Sequence, residues 1–155
     1  MTTDMSPPTK LVPELYVTDL ATSLCFWRGI LGFEILYDRP EDGFAKIGRD
    51  GVAFMLETHG AGPSGRAGIW DTAPLERPFG RGINFEIDVT DVGVLTAALA
   101  RAGWPLFFGP EERWYRAEAE EIGVRQFLVQ DPDGYLLRFS QPLGRRPARP
   151  ADGVR

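Results

Sequence analysis

The sequence predicts an α+β fold of two tandem βαβββ units, on three observations. The run Val17-Thr18-Asp19-Leu20 returns as Val89-Thr90-Asp91-Val92. Each copy leads into a stretch with helical apolar spacing that stops at a glycine before an aromatic, Gly32-Phe33 and Gly103-Trp104. Each helix is followed by an Asp-Gly pair, Asp50-Gly51 and Asp133-Gly134, the strongest short-range signal for a hairpin. The same features in the same order, twice over, mark an internal duplication.

The elements follow in order. The first unit covers 11–57. Residues 11–17 alternate as a half-buried strand does. Asp19 then opens a helix over 19–31, where its carboxylate accepts from free backbone N–H groups at the positive end of the helix dipole. Leu20, Leu24, Trp27, Ile30 and Leu31 form the apolar face of that helix, and Gly32 supplies the left-handed residue that closes it. A hairpin pairs 44–48 with a strand from Gly51 to Glu57. A linker over 58–82 carries Gly60, Gly62, Pro63, Gly65, Pro74, Pro78 and Gly80. The second unit covers 83–141: a strand over 83–89, a helix over 91–102 with Val94, Leu95, Ala98 and Leu99 inward, and a hairpin of 124–129 with the strand that ends at Ser140. The ends, 1–10 and the basic 142–155, have little to bury and are expected to be disordered.

Composition narrows the function classes. With 43% hydrophobic and 25% charged residues, the chain as a whole is globular. No apolar run reaches the roughly 18 residues that span a bilayer, and the start lacks the apolar region of a secretory signal, so the expected compartment is the cytoplasm, with no membrane partner. The single cysteine, Cys25, cannot form an internal disulfide, and with the single histidine, His59, cannot build a Cys/His zinc site. The net charge is −5. Arg145, Arg146, Arg149 and Arg155 concentrate positive charge in the tail, so the body is more acidic still and repels phosphate backbones. No nucleic-acid partner is expected. Cys25 has no histidine near it in sequence, Ser23 and Ser140 lack a G-x-S-x-G setting, and the glycine-rich 60–68 lacks the strand-then-helix context of a nucleotide loop.

The stretches LYVTDLATSLCFWRGILGFEILYDRPEDGFAKI, FEIDVTDVGVLTAALARAGWP and VRQFLVQDPDGYLLRFSQP together span most of 11–142. In this order they resemble the vicinal oxygen chelate superfamily of glyoxalase I, extradiol dioxygenases, fosfomycin-modifying enzymes and bleomycin resistance proteins. LVPELYVTDL, SLCFWRGILGFE and FLVQDPDGYLLRF are most similar to the bleomycin resistance branch. The resemblance implies a curved mixed sheet around a concave site, and a homodimer whose shared crevices bind the drug without chemistry.

Enzymes of that superfamily carry His, Gln or Glu on the first and last strand of each unit. The repeat places those positions at Val12 and Asn84, and at Met55 and Arg138. Valine cannot ligate, methionine suits soft ions, and arginine repels a divalent cation. The expectation is therefore no cofactor and no divalent metal. The alternative is a metal-dependent enzyme of the glyoxalase or dioxygenase type using a shifted carboxylate site, built from Glu14 and Glu86 with Glu57, Asp88 or His59.

Period-two alternation puts Leu15, Val17, Phe54, Leu56, Phe85, Ile87, Val89, Leu137 and Phe139 toward the helices. The other face carries Glu14, Tyr16, Met55, Glu57, Asn84, Glu86, Asp88, Leu136 and Arg138. Two readings of that face stand: a site for a cationic, flat-ringed ligand, or a polar surface flanking an interface. Trp70 in the linker, and Trp114 and Tyr115 in a long loop before the strand at Val124, either wall a crevice or pin their loops to the body. The expected ligand-binding set is Glu14, Tyr16, Met55, Glu57, Trp70, Asn84, Glu86, Trp114, Tyr115 and Arg138, with no catalytic residue. The expected protein is a homodimer that sequesters a cationic or aromatic small molecule of the bleomycin type.

Overall fold

The computed structural model describes residues 9–62 and 67–150. They fall into two units divided between Arg77 and Pro78, and each has the βαβββ order that the repeat predicts. The expected disorder of 1–8 and 151–155 lies outside the described residues.

The first unit comprises β1 (Glu14–Val17), α1 (Leu20–Trp27), β2 (Glu34–Arg39), β3 (Phe44–Arg49) and β4 (Val52–Thr58). Its mixed sheet runs β1-β4-β3-β2, with β1 parallel to β4 and the other pairs antiparallel. Asp50 and Gly51 have φ of 48° and 84°, the pair of left-handed residues whose twist suits a tight hairpin. Asp19 caps α1 as expected: its carboxylate accepts from the Thr22 backbone N–H at 3.0 Å and the Thr22 hydroxyl at 2.6 Å. The helix ends at Trp27, four residues earlier than expected. The N–H groups of Gly29 and Leu31 donate to Leu24 and Phe26, five residues back, widening the last turn before Gly32 (φ 77°) reverses the chain. Trp27 is fully buried, with Phe33 and Phe54 packed on it at centroid distances of 5.1 and 4.9 Å.

The second unit comprises β5 (Asn84–Asp88), α2 (Val92–Arg101), β6 (Phe108–Ala117), β7 (Glu120–Gln130) and β8 (Leu136–Pro147), with sheet order β5-β8-β7-β6. Asp91 caps α2 by accepting from the Gly93 N–H at 2.8 Å. The buried stripe of α2 is Val92, Leu95 and Leu99. Val94, expected inward, is exposed, since two residues from Val92 is more than half a turn around the helix.

Three expectations are corrected here. The segment around Trp114 and Tyr115 is not a loop but the β6–β7 hairpin, turning at Glu118 (φ 58°). Asp133-Gly134 lies in a longer turn over 131–135, organised by Asp131 Oδ1, which accepts from the N–H of Asp133 and of Tyr135. The tail is ordered as far as Pro147, because β8 continues along β7. There Arg145 pairs with Glu120 at 3.0 Å and Arg146 with Glu121 at 3.1 Å, so the basic run finds its partners across the ladder.

Candidate functional site

The first unit's sheet shows how register assembles side chains distant in sequence. One cross-strand row reads Tyr16, Glu57, Phe44, Arg39, and the next Glu14, Met55, Lys46, Tyr37. All lie on the face opposite Leu15, Val17, Phe54 and Leu56, as alternation requires. The carboxylates thus sit at the β1/β4 edge and the cations at the β2/β3 edge. Arg39 lies 4.0 Å over the Phe44 ring, and Lys46 5.6 Å from the Tyr37 ring. The face of this unit therefore carries cations besides the Glu14, Tyr16, Met55 and Glu57 expected on it. Strand β2, which the βαβββ order requires but the sequence does not delimit, brings in Arg39 and Tyr37, and β3 brings in Lys46.

At the acidic edge Glu14, Met55, Glu57, Ile69, Trp70, Phe44 and Arg39 line a cleft of about 450 Å³, within the range of small-molecule sites. Glu57 is only 9% exposed. Its carboxyl neighbours that of Glu14 and the Trp70 side chain in the cleft, and Gly62 crosses so close that a β-carbon there would lie 2.6 Å from Glu57 Oε1. Burial first, and then the charge of Glu14, pushes the Glu57 carboxyl above the usual carboxylate range, with Asp42 adding to the rise and the Trp70 hydrogen bond opposing it.

The chain leading through Trp70 is tied to the sheet. The Trp70 backbone N–H donates to the Tyr16 hydroxyl at 3.1 Å. His59 Nε2 and Asp71 Oδ2 lie 2.7 Å apart, and the His59 ring meets Tyr16 edge-on at 5.0 Å. Trp70 itself is half exposed. Tyr16, expected to face a ligand, is buried beneath this strap and positions Trp70 instead. His59, a member of the alternative carboxylate site, is an anchor of the same strap.

On the second unit the equivalent face carries Asn84, Glu86, Leu136 and Arg138. Arg138 Nε donates to Asn84 Oδ1 at 3.0 Å, and Arg138 Nη2 lies 2.7 Å from Glu86 Oε2. Glu86 is thereby neutralised. Trp114 and Tyr115, being adjacent in β6, point to opposite faces. The Tyr115 hydroxyl accepts from Gln126 Nε2 at 2.6 Å, and Gln126 shares a face with Arg138 through the β7–β8 register. Trp114 lies on the other face, stacked on Gly123 with Arg146 4.0 Å over its ring. It packs within the hairpin, on the face opposite Tyr115, Gln126 and Arg138.

A family model described as the Glyoxalase/Bleomycin resistance protein/Dioxygenase superfamily matches residues 11–139. The chain belongs to that superfamily. Among solved structures, superfamily-like folds recur in TioX from Micromonospora sp. ML1 (TM-score 0.64, 21% identity, 86% of this chain and 98% of that one). They recur also in a virulence protein from Salmonella typhimurium (TM-score 0.62, 19% identity, 88% and 98%). A third is TnmS3, an antibiotic binding protein from Streptomyces sp. CB03234 (TM-score 0.57, 19% identity, 90% and 98%). At these identities the likeness is one of fold. No curated protein matches the chain in sequence.

The metal-binding positions of the superfamily do not fit a divalent ion here. In the second unit Arg138 occupies one and bonds the Asn84 at the other. In the first, Val12 and Met55 offer no hard donor. The shifted carboxylate arrangement gathers Glu14 with Glu57, but His59 is engaged by Asp71. Among the described residues no three His, Cys, Asp or Glu side chains are grouped to hold a metal ion.

Proposed function

We propose that this superfamily member binds a small molecule bearing a cation and a flat ring, of the kind represented by bleomycin-type antibiotics, and protects by sequestering it without metal and without turnover. One observation carries the reading: a cleft of drug-like size in which two neighbouring carboxyls, Glu14 and Glu57, lie beside a half-exposed indole. Paired carboxyls attract a cation, and the indole face adds cation–π and stacking attraction. The antibiotic-binding character of TnmS3, which shares the fold, supports the same reading. No helix among the described residues is long and apolar enough to cross a membrane, and we place the protein's action in the cytoplasm. We further propose a homodimer, for which a solution mass of twice the 17.2 kDa chain is expected.

Calorimetric titration with metal-free and copper-bound bleomycin tests the proposal. Saturable binding near one drug per chain is the expected result. Absence of binding to both forms would remove bleomycin as the ligand, and turnover of a bound drug would remove the sequestering role.

A further inference from the structure

The superfamily's activities do not specify the electrical shape of the ligand, but the first unit's cleft does. We infer that it takes a dipolar ligand: a flat ring system with a cationic group at Glu14 and Glu57 and an anionic group at Arg39. The inference rests on the binding role just proposed and narrows its ligand class.

Charges at the two ends of the cleft come from different strands. Glu57 is on β4 and Arg39 on β2, two strands away in one cross-strand row, with Phe44 between them. Two strand spacings separate such positions by about 10 Å. Arg39 makes one ion pair, through Nε to Asp42 at 3.5 Å, and rests its plane on Phe44. Among the described residues its two terminal nitrogens make no hydrogen bond, and they carry the donors that hold a carboxylate or similar anion with both oxygens. Lys46, one row along, adds a second positive charge at this end. A singly charged cation would satisfy the glutamates and leave its far end against a guanidinium. A ligand with both charges meets complementary potential at each end, and specificity follows from that match. Trp70, half exposed on the cleft wall, suits a flat ring between the charges.

The test compares three probes by calorimetry on the full chain: 4′-amidinobiphenyl-4-carboxylate, its methyl ester, and biphenyl-4-carboxylate without the amidine. The zwitterion is expected to bind about twofold to fivefold more tightly than either singly charged analogue, the scale of one added, partly exposed ion pair. Arg39→Gln should bring the zwitterion down to the affinity of the ester. Glu14→Gln with Glu57→Gln should bring it down to that of the amidine-free acid, and the wild-type melting profile checks that each variant is folded. A zwitterion that binds no better than its ester, unchanged preference in Arg39→Gln, or no binding by any probe would overturn the inference. Bleomycin titrated in parallel separates the two readings: bleomycin binding without zwitterion preference sinks only the dipolar ligand, and the reverse sinks only the drug.

Discussion

Glu86 and Arg138 stand opposite each other in the β5–β8 register and close to 2.7 Å, whereas their counterparts in the first unit, Glu14 and Met55, are a carboxylate beside a thioether. The duplicated framework is thus neutralised in one half and left acidic in the other. Met55→Arg is expected to reproduce the second unit's pairing in the first, drawing Glu14 into an ion pair and abolishing binding of a cationic probe while the fold is kept. The reverse change, Arg138→Met, releases a half-exposed pair and should cost only about 0–1 kcal/mol of stability. Thermal melts and titration of both variants check the two outcomes; retained cation affinity in Met55→Arg would show that Glu14 is not part of the site.

Glu57 gives a pH signature. Its carboxyl titrates above the ordinary glutamate range because it is buried beside Glu14, with Asp42 adding negative charge and Trp70 partly compensating. The fold therefore favours the neutral form. That contribution to stability is fully present below the unfolded value and is lost as pH rises through the raised folded value. Glu57→Gln keeps an acceptor for Trp70 and cannot ionise. Its melting temperature relative to wild type should be higher at pH 7 than at pH 4. Cation affinity in the wild type should rise with pH across the same interval, and the rise should be smaller in the variant, which keeps Glu14 but lacks the Glu57 carboxyl. A melting difference independent of pH would place the proton elsewhere.

Much of this was legible in the sequence because the signals were local. Asp19 and Asp91 cap the helices named for them, and Asp50-Gly51 makes its tight hairpin because both residues tolerate positive φ. The second hairpin is longer than Asp133-Gly134 suggests, since the organising carboxylate is Asp131, two residues earlier. What escaped was set by pairing. Strand β2 is exposed along nearly its whole length and has no alternation to betray it, so Tyr37 and Arg39 could not be placed beside Phe44 and Lys46. In β6, the start of β7 and the end of β8 charged residues recur and few apolar residues alternate. These charged residues are held by ladder contacts such as Arg146–Glu121 rather than by burial, and polar composition was therefore mistaken for a loop and a disordered tail. Glu14, Met55 and Glu57 share one face because strand side chains alternate, and Trp70 meets them at the cleft. That Tyr16 lies beneath Trp70 depends on a hydrogen bond between residues far apart in sequence, which no periodicity carries.

Trp27 should be the most sensitive core position of the first unit. It is wholly buried and packs against Phe33 and Phe54, so Trp27→Ala removes the central ring and leaves a cavity. A loss of about 3–5 kcal/mol is expected, read as a lowered urea midpoint. A loss under about 1 kcal/mol would mean that the surrounding aromatics collapse into the space.

The β6–β7–β8 extension makes a separate prediction, because its stability comes from a stack rather than a core. The Trp114 ring lies on Gly123, where a β-carbon would meet ring atoms at 2.6 Å, and Arg146 covers the ring at 4.0 Å while pairing with Glu121. Gly123→Val must displace the indole and is expected to cost about 1–3 kcal/mol. Arg146 and Trp114 should be coupled by about 0.5–1 kcal/mol in a double-mutant cycle through Arg146→Ala and Trp114→Ala. Because Glu121 shares the guanidinium, salt should weaken the total effect of Arg146→Ala but leave part of it, the part that the indole supplies. Denaturant melts of the four proteins at low and high salt measure both terms. Strict additivity would show that the arginine and the indole touch without stabilising each other.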